Sequence, residues 1–231
     1  MFSWSVVRSM LWGLRVQRTA TRDLRPQELE EMWHLYAPHH RVSREQFSAR
    51  LDGPGALDRI HRFREGGVLV GFVGFREECF PVEGCDTTVM CMGLGFIVRT
   101  HRGRNLIQRA VVREIIGHWL RRSGVPLCFW TDALTYKPYL LIARNLTRYH
   151  PHRSRPDAGL AGLRDAIGAR HYGAAYVDGV VRSPGWSMGK GVGAISERDQ
   201  RDPDVRFYLE QNPGNPHGDG LLVVIRADLS D

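Results

Sequence analysis

Thr88-Val89-Met90-Cys91-Met92-Gly93-Leu94-Gly95-Phe96-Ile97-Val98, then Arg99-Thr100-His101-Arg102-Gly103-Arg104-Asn105, then Leu106 to Arg122, is the stretch on which the reading turns. The first segment is β-branched and sulfur-rich with almost no charge, the composition of a strand buried on both faces. Leu106, Ala110, Val111, Ile115 and Leu120 recur near helical spacing, so a helix is expected from about Leu106 to Arg122. Between them lie three arginines and a histidine around Gly103. A helix N-terminus presents unpaired N–H groups and partial positive charge, so it suits a phosphate, and a glycine lets the backbone approach a ligand. A plain basic strand-to-helix turn fits the same letters.

Upstream, Trp12 to Thr19 alternates as a first strand. Pro26 with acids following opens a helix from Gln27 to Tyr36, carrying Leu29, Met32, Trp33 and Tyr36 on one face. Ser43-Arg44-Glu45-Gln46 is a capping box for a second helix with Phe47 and Leu51 inward. Leu57 to Arg64 is ambiguous. Val68 to Phe75 reads as a strand, Glu77 to Glu83 as the next, and Cys85 to Val98 as a third. Downstream, Val125 to Asp132 is another buried strand and Tyr136 to Tyr149 reads as helical.

From Pro151 the composition shifts. Arg153 to Asp157 reads as a linker, Leu160 to Tyr172 as a helix, and Ala174 to Val181 as a short strand. Ser183 to Gly218 is rich in Gly, Pro and charge and reads as long loops over the core, with Gly189-Lys190-Gly191-Val192-Gly193 as a loop or lid. Leu221 to Arg226 is a last strand that would complete the sheet. The expected organisation is an N-terminal extension (1–11), a core (12–150) and a C-terminal extension (151–231), forming one domain.

The 231 residues carry a net charge of +7, which favours anionic partners. Lys137 and Lys190 are the only lysines, so arginine supplies the charge, a bias that a GC-rich genome also produces. The basic residues are spread without a block or interleaved aromatics, which argues against nucleic acid. Cys79, Cys85, Cys91 and Cys128 form no Cys-x-x-Cys pair, so no metal is expected and a reducing cytoplasm is. The apolar run Met1 to Leu11 is too short to span a membrane.

The order β, α, α, β, β, β, α, β, α over Leu14 to Tyr149 resembles the core of the GNAT (GCN5-related N-acetyltransferase) superfamily. Arg102-Gly103-Arg104-Asn105-Leu106-Ile107 resembles its pyrophosphate loop, with Asn105 and Ile107 standing where small residues are usual. Met32-Trp33-His34-Leu35-Tyr36, Phe47, Leu69-Val70-Gly71-Phe72, Tyr136-Lys137-Pro138-Tyr139 and Arg148-Tyr149-His150-Pro151-His152 resemble an uncharacterised bacterial GNAT-like group. The fold so implied is α/β, with a mixed, mostly antiparallel central sheet flanked by helices.

The resemblance implies acyl transfer from an acyl-CoA (acetyl-CoA), or an acyl carrier protein, to the amine of a small-molecule acceptor. Phosphates would meet Arg102, Gly103, Arg104, Asn105 and Leu106, and the pantetheine arm would lie along Phe96, Ile97 and Val98. Ile97 or Val98 would offer an N–H to the oxyanion. Tyr136 and Tyr139 stand equally as the general acid. Asp132, at a strand end, and His101 are the candidates for the base. Asp132 reads equally as a helix N-cap. His34, His39, His40, His150 and His152 read as solvated. The alternative is a non-catalytic GNAT-like binding or sensory module.

Overall fold

The computed structural model describes residues 14–53, 55–82, 84–182, 187–188 and 195–227. In chain order the elements are β1 (Leu14–Ala20), α1 (Pro26–Tyr36), β2 (His40–Arg41), α2 (Arg44–Asp52), β3 (Arg59–Glu65), β4 (Val68–Val82), β5 (Cys85–Ile97), α3 (Leu106–Arg121), β6 (Leu127–Ala133), α4 (Tyr136–Ala143), β7 (Tyr149–His150), α5 (Ala158–Tyr172), β8 (Tyr176–Val177), β9 (Val180–Val181), β10 (Ser187–Met188), α6 (Pro203–Gln211) and β11 (Gly220–Arg226). The class is α/β, with mostly antiparallel sheet flanked by helices. The described residues fall into two compact units, the second taking those from Pro126 onward together with 39–42 and 79–89.

The first unit holds β1, α1, α2, β3, α3 and most of β4 and β5. β1 pairs with β3 from Leu14↔Glu65 to Ala20↔Arg59, and β3 with β4 from Arg59↔Phe75 to Glu65↔Val68, both antiparallel. Alternation along β3 sends successive side chains to opposite faces. On one face Arg62 meets Glu28 of α1 at 2.5 Å. On the other, His61 Nε2 and Arg59 Nε reach Glu114 of α3 at 2.6 and 2.7 Å. Tyr36, Phe47, Phe72 and Phe96 interlock with centroids 5.4 to 6.5 Å apart, seating α1 and α2 on the β4–β5 face. Gly71 is needed there: a Cβ would stand 2.6 Å from the Phe96 carbonyl oxygen.

The second unit is centred on β11. Its one edge pairs with β6 from Leu221↔Ala133 to Arg226↔Cys128, and its other with β9 and β7. Tyr139 of α4 packs on Tyr149, Phe207 and Tyr208 at 5.8 to 6.1 Å, fastening α4 and α6 together. The tip of the β4–β5 hairpin belongs here, where Arg170 of α5 lies 3.9 Å over Phe80.

Several boundaries differ from the sequence reading. Val68 to Val82 is one strand, not two. The helix expected over Tyr136 to Tyr149 stops at Ala143, because Tyr149 and His150 must extend to pair with Ile225 and Val224. The strand expected over Ala174 to Val181 is a hairpin, β8–β9, folded on Asp178-Gly179 with both φ positive. The region read as loops contains α6, started by Asp202, whose carboxylate accepts from the N–H groups of Asp204 and Val205, with Pro203 in the first turn. Within the same region β10 pairs with β2, while the proposed lid, Gly189 to Gly193, lies outside the described residues.

Candidate functional site

In the first unit the strand–turn–helix stands as read: β5, a 3-10 turn at Arg99–His101, and α3 from Leu106. Leu94, inside β5, has φ 49°, a left-handed conformation that bends the strand as a bulge does. Val98 N–H donates to the Val70 carbonyl at 3.0 Å. That bond removes Val98 as an oxyanion donor and leaves Ile97 of the expected pair. Gly103 and Asn105 have φ of 83° and 55°. Asparagine tolerates this region better than other side chains, so Asn105 fills the conformational role of a glycine.

Asn105 is the N-cap of α3 and its side chain makes no capping bond. Elsewhere Ser43, Asp157 and Asp202 each accept from a first-turn N–H of their helices. The start of α3 thus keeps its donors and its positive dipole end without an internal oxygen, the condition an anion exploits.

The side chains around it are tied back. Arg102 Nε donates to the Ile97 carbonyl at 3.1 Å, and Arg104 Nη1 to Glu65 Oε1 at 2.7 Å. His101 is 9% exposed, with Nε2 2.9 Å from Glu65 Oε2 and Nδ1 2.9 Å from Thr100 Oγ1. Both ring nitrogens are engaged, so His101 holds the turn and is withdrawn as a base. The bonds from His101 and Arg104 lower the pKa of Glu65. Sequence reading missed Glu65, which lies at the end of β3 with nothing local to mark it. It also missed Arg109 of α3, buried with its Nε unpartnered. A lone arginine flanked by Gln108 and Ala110 carries that signal weakly.

In the second unit Tyr139 is fully buried, and its hydroxyl donates to the Pro151 carbonyl at 3.2 Å. Burial first, and Tyr149 second, push its pKa up. Tyr139 is therefore a core residue, which corrects the expectation that it could serve as the acid. Tyr136 opens α4, with its hydroxyl bonded to the Asp199 carboxylate; burial, then that carboxylate, raises its pKa. Asp132 lies on β6, half-buried, and accepts from Tyr172 Oη at 3.1 Å. It is not the cap of α4, since Thr135 occupies that position. Among the described residues no group of three or more His, Cys, Asp or Glu is gathered for a metal ion.

No protein-family model matches the chain. No curated protein matches it either. Solved structures do. A probable N-acyltransferase of unknown function from Enterococcus faecalis V583 is 16% identical over 59% of this chain, with a TM-score of 0.41; the match spans 32% of that protein, about a third of its length. A ribosomal-protein-alanine N-acetyltransferase from Brucella melitensis biovar Abortus 2308 is 20% identical over 62% of this chain and 98% of its own, with a TM-score of 0.42. A GNAT family N-acetyltransferase from Escherichia coli, in complex with CoA, is 19% identical over 52% of this chain and 63% of its own, with a TM-score of 0.36.

Proposed function

We propose that this chain is a GNAT-type N-acyltransferase that moves an acyl group from acyl-CoA, acetyl-CoA being the simplest donor, to the amine of a small-molecule acceptor. One observation carries the reading: the uncapped start of α3, directly after β5, with Gly103 and Asn105 shaping the turn into an open row of N–H donors. Such a row fits the donor's pyrophosphate. The amine nitrogen attacks the thioester carbonyl, the C–N bond forms, and the C–S bond then breaks with the electron pair leaving on sulfur. Asp132, which accepts from Tyr172 Oη, is our candidate for the base that takes the amine's proton. Tyr136, whose hydroxyl bonds to the Asp199 carboxylate, is our candidate for the acid that protonates the thiolate. The reaction would take place in the cytoplasm; no helix of the described residues is long and apolar enough to cross a membrane.

Calorimetry with CoA and a panel of acyl-CoAs tests the donor, followed by an acceptor screen read as free thiol release. Micromolar CoA binding with turnover on any amine supports the proposal. Absence of CoA binding overturns it and turns attention to acyl carrier proteins. That donor is suggested by Ile107, a bulky residue where the resembling loop usually has a small one. A second reading, a non-catalytic binding module, is favoured by the engagement of His101 and Tyr139 in structural bonds. Stoichiometric binding without turnover would decide for it.

A further inference from the structure

Three arginines of the first unit are more than nine-tenths buried: Arg59, Arg62 and Arg109, exposed by 7, 3 and 9%. Buried charges are ordinarily paired, because an unpaired one loses its hydration without return. Arg59 meets Glu114 at 2.7 Å and Glu77 at 3.3 Å. Arg62 meets Glu28 and donates to Thr19 at 3.0 Å. Arg109 makes no ion pair or side-chain hydrogen bond among the described residues, and its buried Nε has no partner. Burial lowers its pKa, yet an arginine so placed stays charged.

Arg109 is also the fourth residue of α3. Helical side chains lean back toward the N-terminus, so this guanidinium leans toward the end where α3 has no cap. Of the three arginines of the turn, Arg102 is committed to the Ile97 carbonyl and Arg104 to Glu65, while Arg99 is exposed. Arg109 is the buried cation left without a partner among the described residues.

We propose that Arg109, rather than Arg102 or Arg104, is the side chain that binds the ligand's phosphate or pyrophosphate at the start of α3. The inference rests on reading this turn as the donor's seat and names the residue that gives it affinity. A guanidinium fork beside a row of N–H donors matches the oxygens of a phosphate, with two charge-assisted bonds where a lysine supplies one point charge. The cost of leaving Arg109 unpaired in the free protein is then recovered when the anion arrives.

The test uses the full chain with inorganic pyrophosphate, CoA, and pantetheine, which lacks phosphate. Wild type, Arg109→Met, Arg109→Lys and Arg104→Ala are compared by thermal unfolding and calorimetry. Pyrophosphate should raise the wild-type Tm. Arg109→Met should have a higher Tm than wild type without ligand, show no pyrophosphate-dependent rise, and lose CoA affinity on the order of 30-fold. Arg109→Lys should fold normally and retain part of the response, and Arg104→Ala should stay within about fivefold of wild type, as loss of an exposed pair predicts. Pantetheine should bind all four alike. The proposal is overturned if wild type ignores pyrophosphate, if Arg109→Met and Arg109→Lys respond as wild type does, or if Arg104→Ala alone abolishes binding. Failure of the acyl-transfer reading looks different: pyrophosphate would protect through Arg109 while CoA and acyl-CoAs add nothing.

Discussion

Arg104 Nη1 donates to Glu65 Oε1 at 2.7 Å, so a carboxylate from the end of β3 occupies a cation of the turn that leads into α3. The other Glu65 oxygen engages His101. An acid beside an anion seat repels the ligand. Glu65→Gln removes the charge and keeps the shape. The variant should bind pyrophosphate roughly two- to fivefold more tightly, a gain that shrinks with added salt because the carboxylate is part-exposed. Calorimetry at two ionic strengths reads it. Weaker binding in the variant would show that Glu65 organises the turn instead of repelling the ligand.

Acid should destabilise the fold through two buried carboxylates. Burial alone would raise the pKa of Glu28, but bonds from Arg25 and Arg62 outweigh it and bring the value to about 2 from an ordinary 4.5. Glu114, against His61, Arg59 and Arg18, is likewise held far below the carboxylate range despite its burial. A carboxylate depressed in the folded state contributes stability above its unfolded pKa and loses it as pH falls through the folded one. For Glu28 the shift corresponds to roughly 3 kcal/mol at neutral pH. Urea unfolding should therefore show stability falling from about pH 4.5 down to about pH 2. Glu28→Gln should be less stable at pH 7 and lose less of its stability over that window. A wild-type profile flat from pH 5 to pH 2 would refute both assignments.

The strand–turn–helix was legible because its signals are local: an uncharged β-branched run, a glycine turn and a periodic helix, read to end one residue from its observed limit. β3 was ambiguous for the opposite reason. Arg59, His61 and Arg62 look solvent-facing, and the acid that makes two of them buriable, Glu114, lies more than 50 residues on, 53 from His61 and 55 from Arg59. Tyr149 read as helical because its preference was overridden by pairing with Ile225. α6 was announced by Asp202-Pro203, a start signal drowned by the Gly and Pro around it. Among site residues, the backbone seat was visible, whereas the roles of Glu65, Arg109 and Tyr139 depend on who faces whom across elements. Asn105 shows the middle case: a departure from glycine in letters that keeps glycine's conformation.

Tyr139→Phe should leave turnover unchanged. Its hydroxyl is buried on the Pro151 carbonyl, so deletion removes one internal hydrogen bond, worth about 1 kcal/mol, and touches no substrate. Denaturant titration measures the first and thiol release the second. A loss of turnover with stability intact would restore Tyr139 as the acid.

Tyr136→Phe should behave in the reverse way. Its hydroxyl bonds to the Asp199 carboxylate, and burial, then that carboxylate, raises its pKa. Removing it should lower kcat about 100-fold or more, in the range expected for losing one proton-transfer group, while the calorimetric affinity for CoA stays the same. The deficit should be smaller for acyl donors whose leaving thiol is more acidic, since a better leaving group needs less protonation. Asp199→Asn separates position from acidity. It removes the charge that raises the Tyr136 pKa but keeps a hydrogen-bond acceptor, so turnover should persist and the alkaline limb of the pH profile should move to lower pH. If Tyr136→Phe and Asp199→Asn both turn over like wild type across the pH range, Tyr136 has no part in proton transfer. Thiolate protonation would then fall to solvent.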